Sequence, residues 1–139
     1  MNRWILKTDS DVYPFGQLER ERKAVWDGVS NAVALKHIRS MAPGDPLLIY
    51  HSGATKELVG LARVTSSPYA DPKRGDPKLA VVDVEVDRRL PRTVTLAAIK
   101  ADPAFADLAV VRQPRLSVIP VPEPQWNRLL AMAGVSPEA

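Results

Sequence analysis

The chain has 139 residues, 45% hydrophobic and 25% charged, with a formal net charge of +3 and a pI near 9.4. That length supports one hydrophobic core and leaves little room for a second, so a single domain over residues 1–139 is expected. The absence of cysteine excludes disulfide scaffolds, thiolate zinc sites, iron–sulfur clusters and cysteine nucleophiles together. No apolar run approaches the roughly 20 residues that span a bilayer. The opening "MNRWILKTDS" has only a short apolar core cut off by Lys7, unlike a secretory signal. No membrane partner is therefore expected, and the cytoplasm is the expected compartment. The mild basicity permits nucleic-acid binding without demanding it.

In chain order, "RWILKT" predicts a first strand. Tyr13-Pro14 marks a turn, and Gly16 to Lys23 predicts a short helix with Leu18 facing inward. After "WDGVSN", the run "AVALKHIRSM" places Val33, Leu35, Ile38 and Met41 at helical spacing, with Asn31 or Ser30 as N-cap. Pro43-Gly44-Asp45 ends that helix. "PLLIYHSG" and "ELVGLARVTSSPY" predict buried strands, and Gly60 inside the second signals a bulge or a close backbone approach. "ADPKRGDPK" is a loop. "LAVVDVEVDRRL" alternates, with Val82, Val84 and Val86 on one face and Asp83, Glu85 and Asp87 on the other. "TVTLAAIKADPAFADLA" predicts a helix broken at Asp102-Pro103, and "PRLSVIPV" a last strand. "EPQWNRLLAMAG" predicts a closing helix with Pro124 in its first turn and Gly134 at its end. Strands in succession without regular crossover helices argue against a doubly wound parallel sheet. They argue for an α+β fold, a small and mostly antiparallel barrel-like sheet with flanking helices.

Phosphate-binding glycine loops, GxSxG and HExxH are all missing. The two histidines, His37 and His51, have no metal-ligand spacing, so neither a metal nor a cofactor is expected. His51-Ser52 offers a base beside a nucleophile, but adjacent strand residues point to opposite faces. The bland alternative is that Tyr50, His51 and Ser52 satisfy backbone groups at the strand end. Asp83, Glu85 and Asp87 suit acid–base work or a hard cation, or equally a solvated strand face. Three basic clusters (Lys73, Arg74 and Lys78; Arg88, Arg89 and Arg92; Arg112 and Arg115) suit phosphate contacts or plain solubility. "WDGVSN" has two readings as well. Trp26 is a core residue, or it walls a site in which an aromatic face stacks on a base and the Asn31 amide reads a base edge.

Several segments together change that balance. "WILKTDSDVY", "WDGVSNAVALKHIRSMAPGD", "LIYHSG", "LVGLARVTSSPYADP", the run from "VVDVEVDRRL" through "RLSVIPV", and the closing Trp126 helix resemble the EVE domain. That family belongs to the PUA-like superfamily and is distantly similar to YTH domains. The resemblance covers nearly the whole chain in order, and WxGVxN, YHS and RLSVxPV are specific in combination. It implies a PUA-like pseudo-barrel flanked by helices, with a pocket for a modified base of DNA or RNA. Carried over position by position, the base pocket is Lys7, Thr8, Trp26, Gly28, Val29, Asn31, Tyr50, His51 and Ser52. Arg115, Leu116 and Ser117, with Lys73 and Arg74, would form its rim or meet the nucleic-acid backbone.

Two departures stand out. "KTDS" at Lys7–Ser10 replaces the "KSEP" of many relatives, and Ser30 stands where relatives often carry a basic residue. The resemblance thus implies a non-enzymatic nucleic-acid-binding module. The alternative is an ASCH-type amidohydrolase on modified nucleosides, built from Lys7, Thr8 and a carboxylate such as Glu85.

Overall fold

The computed structural model describes residues 1–136; the last three residues of the domain expected over 1–139 lie outside the described residues. The elements are β1 (Trp4–Asp9), α1 (Phe15–Glu21), β2 (Lys23–Trp26), α2 (Ala32–Arg39), β3 (Pro46–Ser52), β4 (Glu57–Val64), β5 (Tyr69–Ala70), β6 (Ala80–Thr95), α3 (Leu96–Ala101), a 3₁₀ turn (Pro103–Phe105), α4 (Ala109–Arg112), β7 (Val118–Pro120) and α5 (Glu123–Met132). The strands lie in the order β2-β6-β4-β3-β1-β7, with β5 paired to β6 off this path. All pairs are antiparallel except β1 with β3. That parallel pair needs a long crossover, and α1, β2 and α2 provide it.

The sheet curls into a half-barrel. β2 and β7 are at opposite ends of the strand order, yet Trp26 of β2 and Ser117, just before β7, line one recess. Helix α2 packs against both β6 and β7 and so covers the gap between the sheet's two ends. Inside lie Ile5, Leu48, Ile49, Leu58, Val82, Val84 and Ile119 from strands, with Ile38, Ile99, Phe105 and Leu129 from helices. Two buried carboxylates are satisfied. Asp45 accepts from Trp4 Nε1 at 3.0 Å and from the Ala42 amide at 3.1 Å. Asp71 accepts from Arg74 Nε at 2.7 Å, and Arg74 holds its carboxyl below the ordinary range.

Local sequence accounts for most boundaries, and the structure corrects three of them and one helix face. The helix expected over Gly16–Lys23 ends at Glu21, because Arg22 adopts φ 72° and reverses the chain into β2. "ELVGLARVTSSPY" splits into β4 and the short β5. β6 runs on to Thr95, whose hydroxyl oxygen then accepts the Ala98 amide and caps α3. In α2 the inward residues are Ala34, Leu35 and Ile38, followed by Met41, whereas Val33 points outward at 49% exposure. Gly60 fulfils both of its expected roles. The β4–β6 register slips beside it, and the Phe15 ring packs directly on its backbone.

Candidate functional site

β1 and β3 are parallel, so their C-terminal ends lie at one end of the sheet, with Lys7 beside Tyr50, Thr8 beside His51 and Asp9 beside Ser52. β7 runs antiparallel to β1 and begins there, since the Lys7 amide donates to the Ser117 carbonyl at 2.9 Å. Curling brings the end of β2 to the same place. The result is a cleft of about 580 Å³, within the size range of small-ligand sites.

Lys7, Thr8 and Asp9 form one wall of the cleft. Tyr13 and Trp26 form a corner, their rings edge-to-face with centroids 6.2 Å apart. Val25, Asp27, Gly28 and Val29 continue from Trp26, while Lys73 and Ser117 stand at the rim. Trp26 is only 7% exposed, so most of its indole is core and the remainder is wall. Gly28 turns the chain with φ 80°, a conformation that L side chains seldom adopt. Val12, 77% exposed, adds an apolar lip.

The polar groups of the cleft are held in place. Lys7 Nζ donates to the Pro114 carbonyl at 2.9 Å and lies 5.3 Å from the Tyr50 ring centroid. Its half-buried position lowers its pKa. The Thr8 hydroxyl donates to the Tyr13 carbonyl at 2.9 Å, which fixes the 9–14 loop over the cleft. Tyr13 donates its hydroxyl to Glu21 at 2.6 Å. Burial and that carboxylate push the phenol up, and the same bond holds Glu21 below the ordinary carboxylate range.

Among the sequence-predicted pocket residues, Lys7, Thr8, Trp26, Gly28 and Val29 line this cleft, as do Lys73 and Ser117 from the expected rim. The others lie elsewhere. Tyr50 is buried beneath Lys7. His51 Nε2 accepts the Phe15 amide at 2.9 Å, so its ring docks α1 from behind the cleft and is uncharged there. Ser52 accepts the Ser10 amide through its carbonyl at 3.5 Å. Arg74 is spent on Asp71 and on the Val29 carbonyl at 3.3 Å. Asn31 caps α2, its Oδ1 accepting from Val33 and Ala34 at 3.0 and 3.1 Å. With Arg115 and Leu116 it lines a separate groove. Sequence reasoning missed Asp9, Val12, Tyr13, Glu21, Ala24, Val25 and Asp27. Tyr13 carried a signal, an aromatic held by proline next to the first strand end.

Of the residues named for the hydrolytic alternative, Lys7 and Thr8 line the cleft and Glu85 does not. Thr8 and Lys7 both donate to backbone carbonyls, and Glu85 pairs with Arg63 at 2.6 Å. Among the described residues, no three His, Asp or Glu side chains gather as a metal-binding group. No helix of the described residues is long and apolar enough to cross a membrane.

Known proteins resemble the chain throughout its length. The family model of the EVE domain matches residues 2–132. Rpa0253 of Rhodopseudomonas palustris, solved by NMR, is 36% identical and superposes with a TM-score of 0.91 over 96% of this chain and 94% of its own. Mouse thymocyte nuclear protein 1 is 25% identical over 170 residues, covering 98% of this chain and 75% of the mouse protein. Two more distant structures share the fold. Human THYN1, crystallised with DNA containing 5-methylcytosine, is 22% identical with a TM-score of 0.86, over 96% of this chain and 98% of its own. The YTH domain of Zygosaccharomyces rouxii MRB1, crystallised with N6-methyladenosine RNA, is 16% identical with a TM-score of 0.57, over 97% and 88%. With the expected PUA-like half-barrel in place and the family model spanning nearly all of it, the chain belongs to the EVE domain family.

Proposed function

We propose that this chain is a non-enzymatic binding module that receives a modified base of DNA or RNA in the cleft between β1 and β2. The observation that carries this reading is the Tyr13–Trp26 corner, which with Lys7 and Thr8 lines a recess of base-accommodating size. An edge-to-face aromatic pair is rigid, and an aromatic wall beside a base contributes about 1–3 kcal/mol. Val12 and Val25 add apolar surface. A methyl group enclosed there would gain about 0.8 kcal/mol, which offsets part of the few kcal/mol that extruding a base costs. Human THYN1 with 5-methylcytosine DNA and the YTH domain with N6-methyladenosine RNA support the class of ligand.

The test is direct binding to short single- and double-stranded oligonucleotides, plain or carrying one methylated cytosine or adenine, at one fixed salt concentration. The expected result is a preference for one modification that Val25→Asp abolishes. Val25 is 46% exposed in the cleft wall, so this variant places a charge where the base would lie without opening the core. Equal affinity for every oligonucleotide, or a preference that Val25→Asp leaves intact, would refute the reading.

A further inference from the structure

We propose that Arg74 is a positioning residue of the cleft: with Asp71 behind it, it holds the wall formed by Gly28 and Val29 and does not itself meet the ligand. This rests on the base-binding reading above and assigns part of the selectivity to a residue pair outside the cleft. Neither Arg74 nor Asp71 is among the cleft's lining residues.

The wall depends on a tie from elsewhere in the chain. Residues 27–30 join the end of β2 to the cap of α2 without regular structure, and Asp27, Gly28 and Val29 line the cleft. The Val29 side chain enters the core, but the backbone on either side has little support. A Cβ added at Gly28 would meet nothing within 4 Å, so no neighbour packs on that face of the turn. Among the described residues, the only hydrogen bonds made by residues 27–30 run from Arg74 Nη1 and Nη2 to the Val29 carbonyl, at 3.4 and 3.3 Å. Backbone with so few hydrogen bonds opens at low cost. The course of the wall between Trp26 and Asn31 therefore rests on this grip.

Arg74 can provide the grip because it is itself held. Asp71 is 3% exposed, and both of its carboxylate oxygens are occupied. Oδ1 accepts the Lys73 amide at 2.9 Å, and Oδ2 accepts Arg74 Nε at 2.7 Å. The main chain closes around the same acid, since the Asp71 amide donates to the Leu79 carbonyl at 2.9 Å and the Gly75 amide to the Asp71 carbonyl at 3.1 Å. One planar guanidinium thus turns Nε to a buried acid and its terminal nitrogens to the cleft wall. A lysine is a point charge on a flexible stem. It can neutralise Asp71 without also fixing Val29.

A change of charge separates this role from direct contact with phosphate. Asp71→Asn removes a negative charge, which by electrostatics alone strengthens binding to a polyanion. The new NH₂ would face a donor, either the Lys73 amide or Arg74 Nε, so the tie would break and selectivity would fall.

The experiment compares the full chain with Arg74→Lys, Arg74→Gln and Asp71→Asn on matched modified and plain single strands across a series of salt concentrations. Urea unfolding of each variant establishes that it is folded in the assay. The modified-to-plain ratio should fall about tenfold in all three, and the slope of log affinity against log salt should stay unchanged in Arg74→Gln. An ion pair that served stability alone would be rescued by Arg74→Lys in both stability and ratio. A ratio kept in Arg74→Lys or in Asp71→Asn would overturn the positioning role and leave the base-binding reading standing. A slope smaller by about 0.7 in Arg74→Gln would put Arg74 on a phosphate and overturn it too. If Arg74→Gln or Asp71→Asn does not fold, Arg74→Lys carries the test, because it leaves a cation beside the buried acid. Failure of Arg74→Lys itself to fold would make the pair a stability element and overturn the role. A wild-type chain that binds both strands alike, or neither, would overturn the base-binding reading, and this one with it.

Discussion

Gly60→Ala tests whether the fold and the cleft share one ring-to-backbone contact. A Cβ at position 60 would lie 2.1 Å from Phe15 Cζ and 2.3 and 2.4 Å from its two Cε carbons. Ordinary contact begins near 3.4 Å, so the ring would have to retreat by about 1.3 Å. It cannot do so alone. Phe15 is fully buried, its amide is held by His51, and the Arg89 guanidinium lies 5.3 Å from its ring centroid while pairing with Glu19 at 2.6 Å. Helix α1 must therefore move with the ring, and with it the Glu21 carboxylate that holds Tyr13 against Trp26. Overpacking costs about 1–3 kcal/mol, and displacement of a whole helix places this case near 3. Phe15→Ala alone should cost about 3–5 kcal/mol through the cavity it leaves. In the double variant the new methyl enters space that the ring has vacated, so urea unfolding should show a cost at least about 1 kcal/mol below the sum of the two. Additivity within about 0.5 kcal/mol would refute the contact as the source of the effect.

His51 gives a pH signature. Burial depresses its imidazole below the ordinary value near 6.5, with Glu57 opposing and Arg89 reinforcing the shift. The folded state thus favours the neutral ring, and the unfolded chain takes up the proton first as pH falls. Stability from this group is complete above about pH 6.5 and is lost progressively below it, down to the folded-state value. His37 is depressed in the same direction by burial and Lys36, so the measurement is the difference in slope between wild type and His51→Gln in unfolding curves across mildly acidic pH. Identical slopes would refute a neutral, proton-accepting His51 ring in the folded state. Asn31→Ala removes the cap of α2 and should cost about 0.5–2 kcal/mol in thermal or urea unfolding, with any preference for a modified base retained. Abolition of that preference at unchanged stability would make the Asn31 amide a base reader instead.

What the sequence made legible follows from how local each signal is. The α2 cap, the alternation in β6, the Pro124 and Gly134 limits of α5 and the Gly60 close approach are set by neighbours in the chain. A single strand of residues is enough to read them. β2 was illegible because four residues, two of them exposed, carry no period, and because Arg22 enters a positive φ that sequence alone would assign to glycine. Val33 was misassigned for a different reason. Ala34 is small enough to face β6 and β7, and the larger Val33 was displaced outward by a packing choice that spacing alone does not register. The cleft drew its residues from β1, the 9–14 loop, β2 and the approach to β7. Only the curl of the sheet makes these segments neighbours, so Glu21, a helix-surface acid by its sequence, had no signal that placed it beside Tyr13.

The stretch from Trp26 to Asn31 shows how the alternatives of core and wall can both hold. A ring at the last position of a strand on the rim of a curled sheet has its body in the core and its edge at the opening, and Trp26 at 7% exposure has this placement. The two following positions turn the chain, with Gly28 at φ 80°. The Val29 carbonyl then anchors Arg74 from the 70–79 loop, and Asn31 closes the turn by starting α2. Three points of the turn are thus tied, Trp26 to the core, Val29 to a neighbouring loop and Asn31 to a helix start. The turn thus runs from the cleft on one side to the groove lined by Asn31 and Val33 on the other.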